Sequence, residues 1–230
     1  MFAAIAKESN LLLEARHFSY NVPGGRCEKC QGAGKLLVSM NFLPDVEVVC
    51  PVCCGRRYQK SVLNVKYKNQ CISDILDLSV DEAAALLENE HSIMEKLTIL
   101  QDVGLGYLSL GQSTSTLSGG EAQRLKLAKE LAKSGTGKVL YLFDEPTVGL
   151  HPQNVERLIG VFDRLVQKGN SVIVIEHNLR VLLAADWIID LGPEGGNRGG
   201  NLIAAGTPKH VMEKKASATG KALCDYLSES

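Results

Sequence analysis

The chain has 230 residues, a net charge of −1, 45% hydrophobic residues and a mean hydropathy near zero, the make-up of a globular protein of one or two domains able to bury a core. No apolar run approaches the roughly 18–20 residues of a membrane-spanning helix, and residues 1–10, with Lys7 and Glu8, lack the apolar stretch of a secretory leader, so a soluble cytoplasmic protein is expected. The balanced charge gives no global attraction to nucleic acid; a local patch such as Arg56, Arg57 and Lys60 can serve that purpose or be a solvated turn.

Seven cysteines without a secretion signal point to metal or free thiols, because the cytosol keeps thiols reduced. Cys27 and Cys30 form one C-x-x-C pair and Cys50 and Cys53 another, with 19 residues between them, which is the spacing of a four-cysteine zinc site. Cys54 adjoins Cys53 and is an alternative ligand, but the C-x-x-C spacing favours Cys53; Cys71 and Cys224 are unpaired, semi-buried thiols on this reading. Residues 27–34, Cys-Glu-Lys-Cys-Gln-Gly-Ala-Gly, resemble a knuckle of the DnaJ-type chaperones, although the second pair carries Arg57 where the last glycine of that pattern belongs and two knuckles stand in place of four.

Between the pairs, alternation predicts a strand from Lys35 that ends before Pro44 and a return strand over Val46–Val49, a zinc-clamped hairpin arm. Its ~40 residues bury little by themselves, so the ion is expected to supply much of the folding free energy. From Cys71 to Leu110 the period becomes helical, with Ser79 as an N-cap ahead of Asp81 and Glu82, and with Ala83, Leu86, Leu87, Ile93, Leu97 and Leu100 as core; His91 falls at the break between two helices.

Leu117-Ser-Gly-Gly-Glu-Ala-Gln-Arg124 then opens a helix whose predicted apolar side is Ala122, Leu125, Leu127, Ala128, Leu131 and Ala132. Gly119 and Gly120 let backbone N–H groups at the positive end of a helix approach a phosphate, and Ser118 offers a hydroxyl as N-cap or phosphate donor. Gly135 to Lys138 reads as a turn. Val139 to Phe143 is a buried-strand pattern that delivers Asp144 and Glu145 to its carboxyl end, where open parallel sheets bind ligands. Adjacent acids there can divide labour, Asp144 holding Mg²⁺ and Glu145 deprotonating an attacking water. A second such strand, Ser171 to His177, ends with His177 at the sheet's carboxyl edge, placed to bond a terminal phosphate or to position the attacking water. Leu179 to Ala184 is predicted helical and Trp187 to Leu191 a strand with Trp187 in the core; the glycine-rich stretch to Gly200 reads as a hairpin turn. The loop Gly-x-x-x-x-Gly-Lys-Ser/Thr occurs nowhere: Gly32 to Lys35 and Gly135 to Lys138 have the wrong spacing, followed by Leu36 and Val139.

In this order the motifs resemble the ATP-binding-cassette ATPases and, more narrowly, the UvrA family of nucleotide excision repair. The narrower likeness is carried by Phe18 to Cys27, the cysteine pairs, Leu43 to Asp45, Gly104 to Ser113, Leu117 to Arg124, Glu176 to Asn178 and Trp187 to Gly196. Transporter cassettes have glutamine at the place of Glu121 and no zinc module ahead of the signature. The resemblance implies an α/β fold: a partial cassette nucleotide-binding domain with a helical signature subdomain and an inserted zinc-binding β-hairpin module. It divides the chain into an amino-terminal stub of the signature region (1–24), the zinc module (25–60), the helical signature subdomain (61–116) and the ATPase subdomain (117–230). Leu117, Ser118, Gly119, Gly120 and Glu121 become the signature that touches ATP, Asp144 the Walker B aspartate on Mg²⁺, Glu145 the catalytic glutamate, Thr147 to His151 the D-loop and His177 the switch histidine. Zn²⁺ on Cys27, Cys30, Cys50 and Cys53 completes the cofactors.

The likeness is to the carboxyl-terminal part of that family, so a first cassette, a second Walker A loop and the Q-loop glutamine are expected to precede Met1, and ATP turnover by the chain alone is not expected. Implied partners are lesion-bearing double-stranded DNA, the missing cassette half or a second UvrA-like chain, and a UvrB-like helicase subunit, with no membrane. The alternatives are a nonhydrolytic zinc-containing interaction fragment and, further off, a transporter ATPase subunit.

Overall fold

The computed structural model describes residues 1–40, 43–132, 138–193 and 199–229. The backbone forms two compact units, Met1–Leu97 with Tyr107–Ser113 and Thr98–Gly106 with Thr114–Ser230.

The first unit opens with α1 (Phe2–Glu8) and a 3₁₀ turn (Ala15–Phe18), joined by stacking of Phe2 on Phe18 with centroids 5.7 Å apart. Strands β1 (Lys35–Met40) and β2 (Leu43–Val49) form an antiparallel arm in the register Lys35↔Val49, Leu37↔Glu47, Val38↔Val46. The return strand thus starts three residues earlier than the sequence pattern predicts and includes Pro44; a two-stranded ribbon has a free edge on which proline loses no ladder bond, and the register slips between Val38 and Met40. After α2 (Lys60–Leu63), the two-residue strands β3 (Lys66–Tyr67) and β4 (Gln70–Cys71) turn through Lys68 and Asn69, both at positive φ (46° and 68°), the geometry of a tight primed hairpin turn. Helices α3 (Ile72–Asp77) and α4 (Val80–Leu86) follow, the latter started by the expected Ser79 cap: the Ser79 hydroxyl accepts from Glu82 N–H while the Glu82 carboxylate accepts from Ser79 N–H. Val62, Val65, Ile75, Val80, Ala83 and Leu87 are buried in this unit. His91 is the first residue of α5 (His91–Asp102) rather than a connector.

In the second unit, α6 (Gly119–Leu131) leads to β5 (Leu140–Asp144), which pairs in parallel with β6 (Ser171–Ile175), the two joined by α7 (Pro152–Gln167). Helix α7 buries one face, Val155, Leu158, Val161, Phe162 and Leu165, and Phe162 meets Phe143 of β5 at 5.2 Å between centroids. His151 caps α7 by accepting from Gln153 N–H ahead of Pro152. Then come α8 (Leu179–Ala184), the antiparallel pair β7 (Ile188–Gly192) and β8 (Asn201–Gly206), α9 (Pro208–Met212) and α10 (Ala218–Glu229) around a core of Ile188, Ala204, Val211 and Leu223. Trp187 departs from expectation: it precedes β7 and is 62% exposed, because the neighbouring Ile188 takes the inward register. The predicted turn at Gly135 to Lys138 falls largely outside the described residues, as does much of the glycine-rich stretch before Gly200.

Candidate functional site

The first unit holds a four-sulfur cluster. Cys27, Cys30, Cys50 and Cys53 are all buried, and their Sγ atoms lie within 4.8 Å of one another. A tetrahedral ion with Zn–S bonds of ~2.3 Å separates its sulfurs by about 3.8 Å; here Cys27 and Cys50 are 3.9 Å apart and Cys30 and Cys53 3.6 Å. The donor set therefore fits a zinc-sized cation. Cys54, the alternative ligand, is exposed, with its Sγ 3.9 Å from Pro51 C=O.

Two knuckles build this cluster with the same backbone. Gln31, Gly32 and Gly34 in the first, and Cys54, Gly55 and Arg57 in the second, take positive φ at equivalent places. Arg57 occupies the glycine position with φ 69°. The knuckles are cross-strapped, since Cys27 N–H donates to Arg57 C=O (2.7 Å) and Cys50 N–H to Gly34 C=O (2.9 Å). Gly34 is required there: a Cβ would sit 2.8 Å from Gly55 C=O. Of the expected basic patch, Arg57 lies over the Tyr20 ring at 5.4 Å and Arg56 donates to both Asp74 Oδ1 and Cys71 Sγ at 3.1 Å, while Lys60 is exposed. Cys71 is fully buried, more so than its pattern suggests, and Cys224 is exposed.

The second unit gathers the acidic and imidazole groups. Asp144 ends β5 and Ile175 ends β6 at matching register, so Glu145 and His177 leave the sheet at the same carboxyl edge. Glu145 Oε1 is 3.9 Å from His177 Nδ1, with both side chains more than half exposed. Glu145 stands in the left-handed region (φ 43°), an arrangement costly for a residue with a Cβ and found preferentially at functional sites; its N–H is held by Ile175 C=O at 2.9 Å.

Helix α6 reaches this edge as well. Ser118 and Glu121 form a reciprocal capping box, the Ser118 hydroxyl accepting from Glu121 N–H at 3.3 Å and Glu121 Oε2 accepting from Ser118 N–H at 2.7 Å. Nothing within 4 Å would meet a Cβ on Gly119, whereas one on Gly120 would press on the Arg124 guanidinium at 3.2 Å. Leu117, at the edge of this start, is half-buried. One turn on, Gln123 bonds the main chain of Asp144, donating to its C=O and accepting from its N–H at 3.1 Å each. Arg124 is buried and donates to Pro146 C=O (3.4 Å) and Val148 C=O (3.3 Å). The buried stripe of α6 is accordingly Arg124, Leu127, Ala128 and Leu131, while Ala132, expected on it, is exposed.

Three residues bearing on the site escaped the sequence reading: Gln123, Arg124 and Glu176. Arg124 had a signal, a charged residue at the i, i+3, i+4, i+7 positions of an apolar stripe. Glu176 accepts from Thr147 N–H (2.9 Å) at one oxygen and from His177 N–H (3.0 Å) and Asn178 N–H (3.1 Å) at the other. Burial pushes its carboxyl up, but these bonds more than offset that and hold it below the ordinary value.

Comparison with known proteins adds to this geometry. The chain is 58% identical to UvrABC system protein A of Aquifex aeolicus over 212 residues, 92% of this chain and 23% of the relative. It is 56% identical to UvrABC system protein A of Xanthomonas axonopodis pv. citri over 210 residues, 91% of this chain and 21% of the relative. The crystal structure of UvrA2 from Deinococcus radiodurans superposes with a TM-score of 0.81 at 47% identity, covering 97% of this chain and 28% of that one. No family model matches. The chain thus spans under a quarter of the length of these curated relatives.

Proposed function

Because the chain belongs to the UvrA family, we propose that it is the signature and Walker B portion of an ATPase that couples ATP binding and hydrolysis to DNA damage recognition in nucleotide excision repair. The observation that carries this reading is the meeting of Glu145 Oε1 and His177 Nδ1, 3.9 Å apart at the carboxyl edge of a parallel strand pair. Water adds to the terminal phosphorus of ATP as the phosphoanhydride bond breaks and ADP leaves. Asp144 would hold a magnesium ion, which would neutralise charge on the phosphates. Glu145 orients the attacking water and takes its proton at Oε1, and His177 bonds the terminal phosphate. Leu117 to Glu121 offer the open start of α6 to the phosphates of a nucleotide bound on another cassette surface, where unobstructed Gly119 admits close approach.

A second polypeptide portion carrying the Gly-x-x-x-x-Gly-Lys-Ser/Thr loop completes the site. One face of the β5–β6 pair supports this: Leu140, Leu142, Ile173 and Ile175 are all exposed, an apolar surface that an added sheet neighbour or helix would bury. The four thiolates hold Zn²⁺, and the arm they brace contacts lesion-bearing double-stranded DNA. A UvrB-like subunit and a second UvrA-like chain are the protein partners. Among the described residues no helix is long and apolar enough to cross a membrane.

The experiment is Glu145→Gln in the chain recombined with a polypeptide carrying the phosphate-binding loop. Loss of the base lowers kcat by about 10²–10⁴ while ATP still binds; unchanged turnover refutes the assignment. A nonhydrolytic interaction fragment is the second reading, favoured by the lack of that loop in the sequence, and no ATP turnover in any recombined assembly establishes it.

A further inference from the structure

We infer that Glu176 is a positioning residue that ties the loop after β5 to the turn after β6, so that Glu145 and His177 are held as one body. The inference rests on the roles proposed above for those two groups and adds a residue between them. Each oxygen serves a different segment. Oε1 accepts from Thr147 N–H at 2.9 Å, two residues beyond Glu145. Oε2 accepts from His177 and Asn178 N–H at 3.0 and 3.1 Å.

Both tied segments are anchored further out. Thr147 is buried, and the carbonyls on either side of it, Pro146 and Val148, receive the Arg124 guanidinium; the strap is therefore gripped by a cation on its C=O groups and by an anion on its N–H. On the other side, Asn178 caps α8 by accepting from Arg180 N–H (3.1 Å), and Arg180 donates to Glu156 of α7 (2.9 Å) and Tyr226 of α10 (3.1 Å). A backbone bond also links the segments, Glu145 N–H to Ile175 C=O, and its donor is a residue held in the left-handed region. A carboxylate is the group this place needs. Three N–H donors converge on two oxygens, whereas an amide of the same size would turn its NH₂ toward one donor set and release that side.

Glu176→Gln therefore separates the tie from side-chain volume. In the 230-residue chain without nucleotide, amide exchange at Thr147, or at His177 and Asn178, is expected to rise about ten- to a hundredfold, the opening given by losing one or two charge-assisted bonds, while amides of α7 keep their protection. Unchanged exchange at all three overturns the inference. Should α7 lose protection too, Glu176→Asp, which keeps both oxygens on a shorter stem, takes its place under the same criteria. In the recombined ATPase, Glu176→Gln is expected to lower kcat about tenfold with KM nearly unchanged, because nucleotide still binds while base and histidine drift apart. If exchange rises but kcat holds in an assembly that Glu145→Gln inactivates, Glu176 is only a local structural bond and the positioning role is refuted. If Glu145→Gln also leaves turnover unchanged, the functional assignment fails instead, and the exchange at Thr147, His177 and Asn178 alone decides whether the tie exists.

Discussion

Removing the cation from the four-sulfur cluster should unfold the arm and leave the second unit intact. Among the described residues the four cysteines form the buried cluster of the arm, with Leu36 packed on them, and Tyr58 is buried at its base; Leu37, Val38, Met40, Val46, Val48 and Val49 are exposed. Burial of one leucine is worth at most about 1.5–3 kcal/mol, whereas ordering the backbone costs on the order of 1–2 kcal/mol per residue, and a two-stranded hairpin is marginal by itself. Zinc in comparable sites contributes roughly 10–16 kcal/mol at neutral pH, which is as large as the whole stability of a typical domain, about 5–15 kcal/mol. The assay is chelation followed by amide exchange, with metal release measured in parallel at one ion per chain. The Cys27 and Cys50 amides, bonded to Arg57 and Gly34 carbonyls across the knuckles, report most directly. They should lose protection on metal removal while amides of α7 around Val155, Leu158 and Leu165 hold theirs. Retained protection at Cys27 and Cys50 after verified metal loss would refute the reasoning, because it would show that packing and hydrogen bonds suffice.

The cross-strapped knuckles also set different outcomes for two substitutions read by thermal melting of the metal-loaded protein. Arg57→Gly relieves a left-handed residue by about 1 kcal/mol or slightly more and loses a cation–π contact of about 0.5–1 kcal/mol, so the melting temperature stays nearly level; Gly34→Ala, forced against Gly55 C=O, lowers it clearly. Arg124→Ala strips two carbonyl bonds from the strap over Pro146–Val148 and should cost about 2–4 kcal/mol in urea unfolding of the second unit, and an unchanged midpoint would show those bonds to be incidental. For pH, the Ser79 backbone N–H, and then its hydroxyl, hold the Glu82 carboxyl below its ordinary value of 4.5. A folded value below the unfolded one gives stability that is complete above about pH 4.5 and lost as pH falls through the folded value. The stability gap between the parent and Glu82→Ala should thus be constant at neutral pH and shrink in acid; a gap independent of pH would sink the capping assignment.

What the sequence disclosed, and what it hid, follows from the range of the interactions. Ser79 with Glu82, Ser118 with Glu121, and the two C-x-x-C pairs are local patterns whose partners lie within a few residues, so their geometry is written in spacing alone. The strands ending at Asp144 and Ile175 were legible for a similar reason, since short apolar runs bounded by polar residues leave few other folds. Trp187 misled because a tryptophan beside an apolar run fits either side of a register that only the pairing of β7 with β8 decides. Pro44 misled in the opposite sense: the rule that proline ends a strand assumes a partner on both edges, and the arm has only one. The residues whose part in the site was not read, Gln123, Arg124 and Glu176, share one property. Each spends polar atoms on main-chain groups 21 to 29 positions away, at Asp144, Pro146, Val148 and Thr147, while the second oxygen of Glu176 takes its neighbours His177 and Asn178. Backbone N–H and C=O groups carry no residue identity, so a side chain that recognises them leaves no complementary partner in the sequence to be found. The support for the Glu145–His177 edge was for that reason visible only once the chain was folded.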